Sequence, residues 1–152
     1  MNTLTRSTPL ILLAYALTAI GGDFDRAQVG REALQVLDQF MSSFNARDPQ
    51  AHTATYHFPH YRLARGDMNV WTTREDAEQA HADLFRSLPD TGWDRSMWVQ
   101  RRIVTLSETK VHVATRFRRL RKDGSEIGTY DSLYVLINKD GRWGVKMRSS
   151  LL

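Results

Sequence analysis

Apolar positions along this chain fall into two regimes. Val29, Ala33, Val36, Leu37, Phe40, Met41 and Phe44 recur every three to four residues, which predicts one amphipathic helix over 27–45. Asp48 is a good N-cap and Pro49 suits a first helical position, so a short second helix follows. The run from Tyr56 to Trp71 reads as a hairpin turning at Gly66-Asp67, which makes the Arg-Gly-Asp triplet at 65–67 a tight turn rather than an adhesion signal. Thr72 followed by Glu75 is a capping-box spacing for a third helix. Its inward stripe is Ala77, His81, Leu84 and Leu88, and Pro89 ends it. From Met97 onward the period switches to two, with turn signals at "SETK", "KDGS" and "NKDGR". Helices followed by a four-stranded antiparallel meander make an α+β pattern.

Two-residue loops at Glu108-Thr109, Asp123-Gly124 and Asp140-Gly141 set a register. They place Trp98, Gln100, Arg102, Val104, Leu106, Val111, Val113, Thr115, Phe117, Tyr130, Ser132, Tyr134, Leu136, Trp143, Val145, Met147 and Ser149 on one face. The opposite face takes His112, Arg116, Arg118, Asp131, Lys146 and Arg148, with Arg116 directly across from Asp131. At one end of the first face the residues are apolar. At the other end Gln100, Arg102, Thr115, Tyr130, Ser132 and Tyr134 gather with Trp98. Polar groups clustered on a buried face must bond one another or line a cavity, so this half is the expected ligand site.

"YHFPHYR" at 56–62 offers His57 and His60. Pro59 forbids a helix there, and in an extended chain a separation of three sends the two imidazoles to opposite faces, so no metal site is expected. Either Tyr56, Phe58, His60 and Arg62 or His57, Pro59, Tyr61 and Leu63 could be the inner set. An imidazole facing Tyr130, Tyr134 and Arg102 would titrate near neutrality and could carry a proton. His52, His81 and His112 read as surface or helix-packing residues.

The chain has 152 residues, enough for one domain with a core, and its 41% hydrophobic and 25% charged residues are ordinary for a soluble protein. It has no cysteine, which excludes disulfides, thiolate metal sites and cysteine nucleophiles. The net charge of +4 permits a nucleic-acid partner, and "RFRRLRK" (116–122) invites one. Alternation divides those charges between two faces, however, so no nucleic-acid binding is expected; a phosphate or acidic ligand at the mouth of the sheet suits them better. Residues 1–22 carry Arg6 and then the apolar "PLILLAYALTAI", too short to span a bilayer. They match a signal peptide, with a packed N-terminal helix as the alternative. Residues 23–152 then form one domain, exported if the leader is cleaved and cytoplasmic otherwise, with no stable membrane association.

"VLDQFMSSFNARDPQA" (36–51), the stretch at 56–63 and "YVLINKDGRWGVKMRSS" (134–150) resemble the nuclear transport factor 2-like superfamily, and within it the SnoaL-like proteins. The resemblance implies a cone: a curved antiparallel sheet packed on three N-terminal helices, with Gly-x-Trp-x-Val packing on the first. It also implies a carboxylate or histidine base inside the cone. Asp131 falls on the outer face, so that base would have to be His57 or His60, or Asp48 or Asp67 at the rim.

Two readings follow. In one, a small, largely apolar molecule bearing a carbonyl or acidic group is held by Trp98, Thr115, Phe117, Ser132, Tyr134 and Met147. Gln100 and Arg102 polarise its oxygen, Tyr130 assists, and His57 or His60 moves a proton, giving isomerase-, cyclase- or dehydratase-type chemistry without a cofactor. In the other, the protein is a non-catalytic homodimer paired through the outer sheet face around Ala114, Leu133 and Val135.

Overall fold

Asp25 accepts a hydrogen bond from the Gln28 amide at 2.9 Å and starts α1, Arg26–Ala46, which ends where Arg47 turns into the left-handed region. In the computed structural model, which describes residues 24–151, the expected leader at 1–22 lies outside the described residues. Asp48 caps α2, Pro49–Ala54, as expected. The hairpin that follows is β1, Tyr56–Ala64, and β2, Asp67–Trp71. Its turn is Arg65-Gly66 rather than Gly66-Asp67, one residue earlier than expected. Both turn residues take positive φ, 56° and 84°, as a tight two-residue hairpin turn demands. The cap of α3, Arg74–Ser87, is Thr73 rather than Thr72; its hydroxyl accepts from the Asp76 amide at 3.2 Å. A 3₁₀ turn, Leu88–Thr91, absorbs Pro89.

The remaining strands are β3 (Arg95–Ser107), β4 (Lys110–Leu120), β5 (Glu126–Lys139) and β6 (Arg142–Leu151). They form one six-stranded sheet in the order β2-β1-β6-β5-β4-β3, antiparallel throughout except for the parallel pair β1–β6. The core lies between α1 and the sheet. Val29, Ala33, Val36, Leu37 and Phe40 meet Tyr56, Val111, Val113, Tyr134, Leu136, Trp143 and Val145. Each large side chain buried this way contributes about 1.5–3 kcal/mol. Trp143 adds a hydrogen bond from its indole to Glu32 at 2.9 Å, fixing the last hairpin on α1. A smaller cluster of Phe44, Phe85, Leu88 and Trp93 seals the far end.

The β4–β5 register is the expected one: Phe117 faces Tyr130, Thr115 faces Ser132, Val113 faces Tyr134, and Arg116 meets Asp131 through two bonds of 2.8 and 3.0 Å. The other two pairings break. In β3 the register shifts around Val99 and again around Val104, so Arg101 rather than Arg102 opposes Thr115, and Ile103 rather than Val104 opposes Val113. In β6 it shifts around Lys146, so Arg148 rather than Met147 opposes Tyr134, and Ser150 rather than Ser149 opposes Ser132. An extra residue turns every side chain beyond it to the other face. Gln100, Arg102 and Met147 are therefore corrected to the outer face, and Arg148 to the inner one.

Candidate functional site

Inside the cone the side chains of α1, α2 and α3 meet β1, β4, β5 and β6 around two small adjoining chambers. One, of about 30 Å³, is bounded by His52, Tyr56, His60, Arg62, His81, Leu84, Arg119 and Arg148. The other, of about 20 Å³, reaches Ser96, Phe117 and Tyr134 and shares Phe40, Phe44, Arg119 and Arg148 with the first. At roughly 10–15 Å³ per water, each has room for only one or two. The inner space is largely filled by aromatic rings: Trp98, Phe117, Tyr130 and Tyr134 stack edge to face or tilted at 5.4–6.1 Å.

Three imidazoles gather in the first chamber. The Nδ1 atoms of His52, His60 and His81 lie 3.1, 3.0 and 2.7 Å from the carbonyl oxygens of Phe40, Val145 and Ala77. A carbonyl only accepts, so each Nδ1 carries its proton and each Nε2 presents a lone pair. The Tyr56 hydroxyl donates to His81 Nε2 at 3.0 Å. The Tyr56 ring stacks on His60 with centroids 3.8 Å apart, and His52 and His81 sit 4.9 Å apart. Burial holds all three imidazoles neutral: it lowers His60 to about 4, His52 well below its ordinary value, and His81 in the same direction. Burial likewise raises the Tyr56 phenol.

Beyond the histidines lie three guanidinium groups. Arg62 and Arg148 are direct neighbours on the parallel strands β1 and β6, and Arg119 joins them from β4. Arg148 lies over the Phe117 and Tyr134 rings, 5.3 Å from each centroid, and Arg119 lies 5.5 Å from the Tyr130 centroid. Each Nε is buried without a hydrogen-bond partner. The one hydrogen bond from these three side chains among the described residues runs from Arg148 to the Ser132 hydroxyl at 3.4 Å. No acidic residue lines either chamber. Burial lowers the pKa of Arg62 and Arg119, and the neighbouring Arg148 adds to it in both. Like charges side by side in a half-buried space destabilise a fold unless an anion balances them.

The expected site residues fare unequally. His60 reaches the chamber together with Tyr56 and Arg62, so this is the inner set. His57 does not: its Nε2–H donates to the Arg142 carbonyl at 2.9 Å, while its Nδ1 accepts from the Arg142 guanidinium at 2.9 Å. That guanidinium also bonds the carbonyls of Ala54 and Tyr56, so His57 rivets β1 to the last hairpin. Gly144 permits the rivet, since a Cβ there would meet the His57 ring at 2.7 Å. Thr115 and Ser132 are buried and bond one another, hydroxyl to carbonyl at 3.2 Å. Trp98, Phe117, Tyr130 and Tyr134 share the inner face with the arginines. Gln100 and Arg102 instead border a groove on the outer face with Arg116, Asp131 and Leu133. His52, His81 and Arg148 belong to the site, although the first two read as packing or surface residues and the third as outward. For His81 the signal was its place on the inward stripe of α3.

Helix, short helix, hairpin, helix and curved meander, closed around a chamber between α1 and the sheet, can be compared with known folds. Residues 31–148 match the family described as NTF2-like protein (DUF6841). The chain belongs to the NTF2-like family. No curated protein matches it. Among solved structures, it is similar to a Nostoc punctiforme protein of unknown function with a cystatin-like fold. That protein has 15% identity and a TM-score of 0.67, with 82% of this chain and 90% of that chain covered. It is also similar to an NTF-2 like protein of unknown function from Shewanella oneidensis, at 18% identity and TM-score 0.64, covering 80% and 98%. Aln2 from a Streptomyces species aligns at 14% identity and TM-score 0.65, covering 84% and 93%. At these identities the likeness speaks for the fold. No helix among the described residues is long and apolar enough to cross a membrane.

Proposed function

We propose that this NTF2-like domain binds a small anionic molecule, its acidic group held between Arg62, Arg119 and Arg148. The observation that carries the reading is three guanidinium groups lining one chamber, their Nε atoms without partners and no carboxylate beside them there; Asp67 lies only in the outer mouth. Guanidinium forks suit carboxylate and phosphate oxygens, and an anion would offset the cost of burying the charges. The filled interior argues for a ligand whose acidic end alone enters the cone, in place of a large apolar body. Calorimetric titration at low ionic strength with acetate, succinate and phosphate tests this. Saturable binding that weakens at least tenfold in Arg119→Leu supports it. No binding, or equal binding by the variant, sinks it.

A second reading, cofactor-independent turnover of the bound anion, is favoured by His60, a neutral imidazole in the same chamber as the arginines. Loss of turnover with affinity retained in His60→Asn would support it; unchanged turnover would refute it.

We also propose a homodimer through the outer sheet face. Leu133 is 37% exposed there and Met97 45%, and the Arg116–Asp131 pair offsets two of the charges around them, so this face can meet a second copy of itself. Leu133→Asp should yield a monomer by light scattering; an unchanged mass would count against this face.

A further inference from the structure

Past Arg62, Leu84 and Arg119 the cone opens into an outer cavity of about 370 Å³, completed by Ala64, Arg65, Asp67 and Asn69 of the β1–β2 hairpin. That volume is in the range of small-molecule sites, whereas the chambers behind it accept only a few atoms. A ligand anchored on the arginines must therefore keep its body in this mouth. The mouth is polar. Arg65 only donates hydrogen bonds, Asp67 only accepts them, and the Asn69 amide does both. These side chains are exposed, and an apolar body offers them no hydrogen bond. A hydroxyl both donates and accepts, and so matches all three.

The anion itself can also be narrowed. Arg62 and Arg148 are paired across neighbouring strands and Arg119 lines the same chamber, so three positive charges border one space. A carboxylate brings one charge and two oxygens. A phosphate monoester brings roughly −1.5 to −2 at neutral pH and three terminal oxygens, one for each guanidinium.

We infer that the ligand is a phosphate monoester of a small hydroxylated carrier, its phosphate on Arg62, Arg119 and Arg148 and its hydroxyls against Arg65, Asp67 and Asn69. The inference rests on the anion-binding reading and adds to it the class of both ends of the ligand. It also gives the Arg-Gly-Asp turn a use: positive φ at Arg65 and Gly66 closes the hairpin tightly and leaves both Arg65 and Asp67 at the rim of the mouth.

The test is a set of titrations on the full chain with four probes: inorganic phosphate, glycerol 3-phosphate, n-propyl phosphate and 3-hydroxypropionate. The inference expects glycerol 3-phosphate to bind at least tenfold tighter than inorganic phosphate or propyl phosphate. It expects 3-hydroxypropionate to be weaker than any phosphate. Asn69→Leu should reduce the ratio of glycerol 3-phosphate to propyl phosphate affinity at least fivefold. Propyl phosphate binding as tightly as glycerol 3-phosphate would overturn the hydroxylated carrier, and so would an unchanged ratio in Asn69→Leu. 3-Hydroxypropionate binding more tightly than inorganic phosphate would overturn the phosphate while leaving the anion reading intact. Failure of all four probes to bind would overturn the anion reading itself.

Discussion

The two ends of the cone are built from the same strands and reach opposite solutions. At the α1 end, Val111, Val113, Leu136 and Val145 are fully buried against Leu37 and Ala33, and every group there has a packing partner. At the mouth, the inner positions of β1, β4 and β6 hold Arg62, Arg119 and Arg148, and their Nε atoms have none. The first end supplies stability. The second would weaken the fold if folding were its whole purpose, since half-buried like charges with no carboxylate between them repel one another. The contrast separates the part of the molecule that makes the cone from the part that uses it.

Mutations should respect that division. Leu136→Ala, at 0% exposure in the apolar end, should cost about 2–5 kcal/mol in urea unfolding, with the anion affinity of the folded fraction unchanged. A loss below 1 kcal/mol would show that this end is not the stabilising one.

The histidine cluster between the two ends gives the next effect. Burial lowers the pKa of His52, His60 and His81, so the unfolded chain binds more protons than the folded one below about pH 6.5, the ordinary histidine value. Stability is therefore complete above that pH and falls as pH drops toward 4. The shift of His60 to about 4 alone corresponds to about 3 kcal/mol. Urea midpoints across this range check it, and a midpoint constant from pH 7 to 4.5 would contradict the buried, neutral assignment.

The smallest effect belongs to the outer face. Arg116 is exposed and bonded to Asp131, so Arg116→Ala should barely move the urea midpoint and leave anion binding as it was. A large loss of binding would move the anion site from the cone to the outer face.

How much of this was legible in the sequence depended on whether a strand kept its alternation. β4 and β5 pair through an unbroken stretch from Val111 to Phe117, and there the expected faces held residue by residue. β3 and β6 carry extra residues at Val99, Val104 and Lys146, and alternation cannot see an insertion that leaves the local pattern plausible. "VKMRSS" reads as apolar-in at Met147 with charge out at Lys146 and Arg148. The shift at Lys146 reverses that reading beyond Val145 and brings Arg148 inside. One hint was present in β3: Trp98, Ile103 and Leu106 are spaced five and three apart, which no uniform period of two can place on one face. The histidine cluster was hidden for a different reason. It is assembled from α2, α3 and β1, and only the folded chain brings those elements together.

The central claim is that the arginines at the cone mouth serve a ligand and not the fold. Urea unfolding of the native chain and of Arg148→Leu, each across a range of inorganic phosphate concentrations, tests it most directly. Without phosphate the variant should lie within about 1 kcal/mol of the native chain or above it, because a leucine of similar bulk replaces a half-buried charge that no carboxylate balances and whose one hydrogen bond is the 3.4 Å contact to Ser132. With phosphate the native chain should gain stability logarithmically, about 2.7 kcal/mol at a hundred times the dissociation constant, and the variant should gain little. A variant that loses several kcal/mol without phosphate, or that gains as much from phosphate as the native chain, would contradict the account.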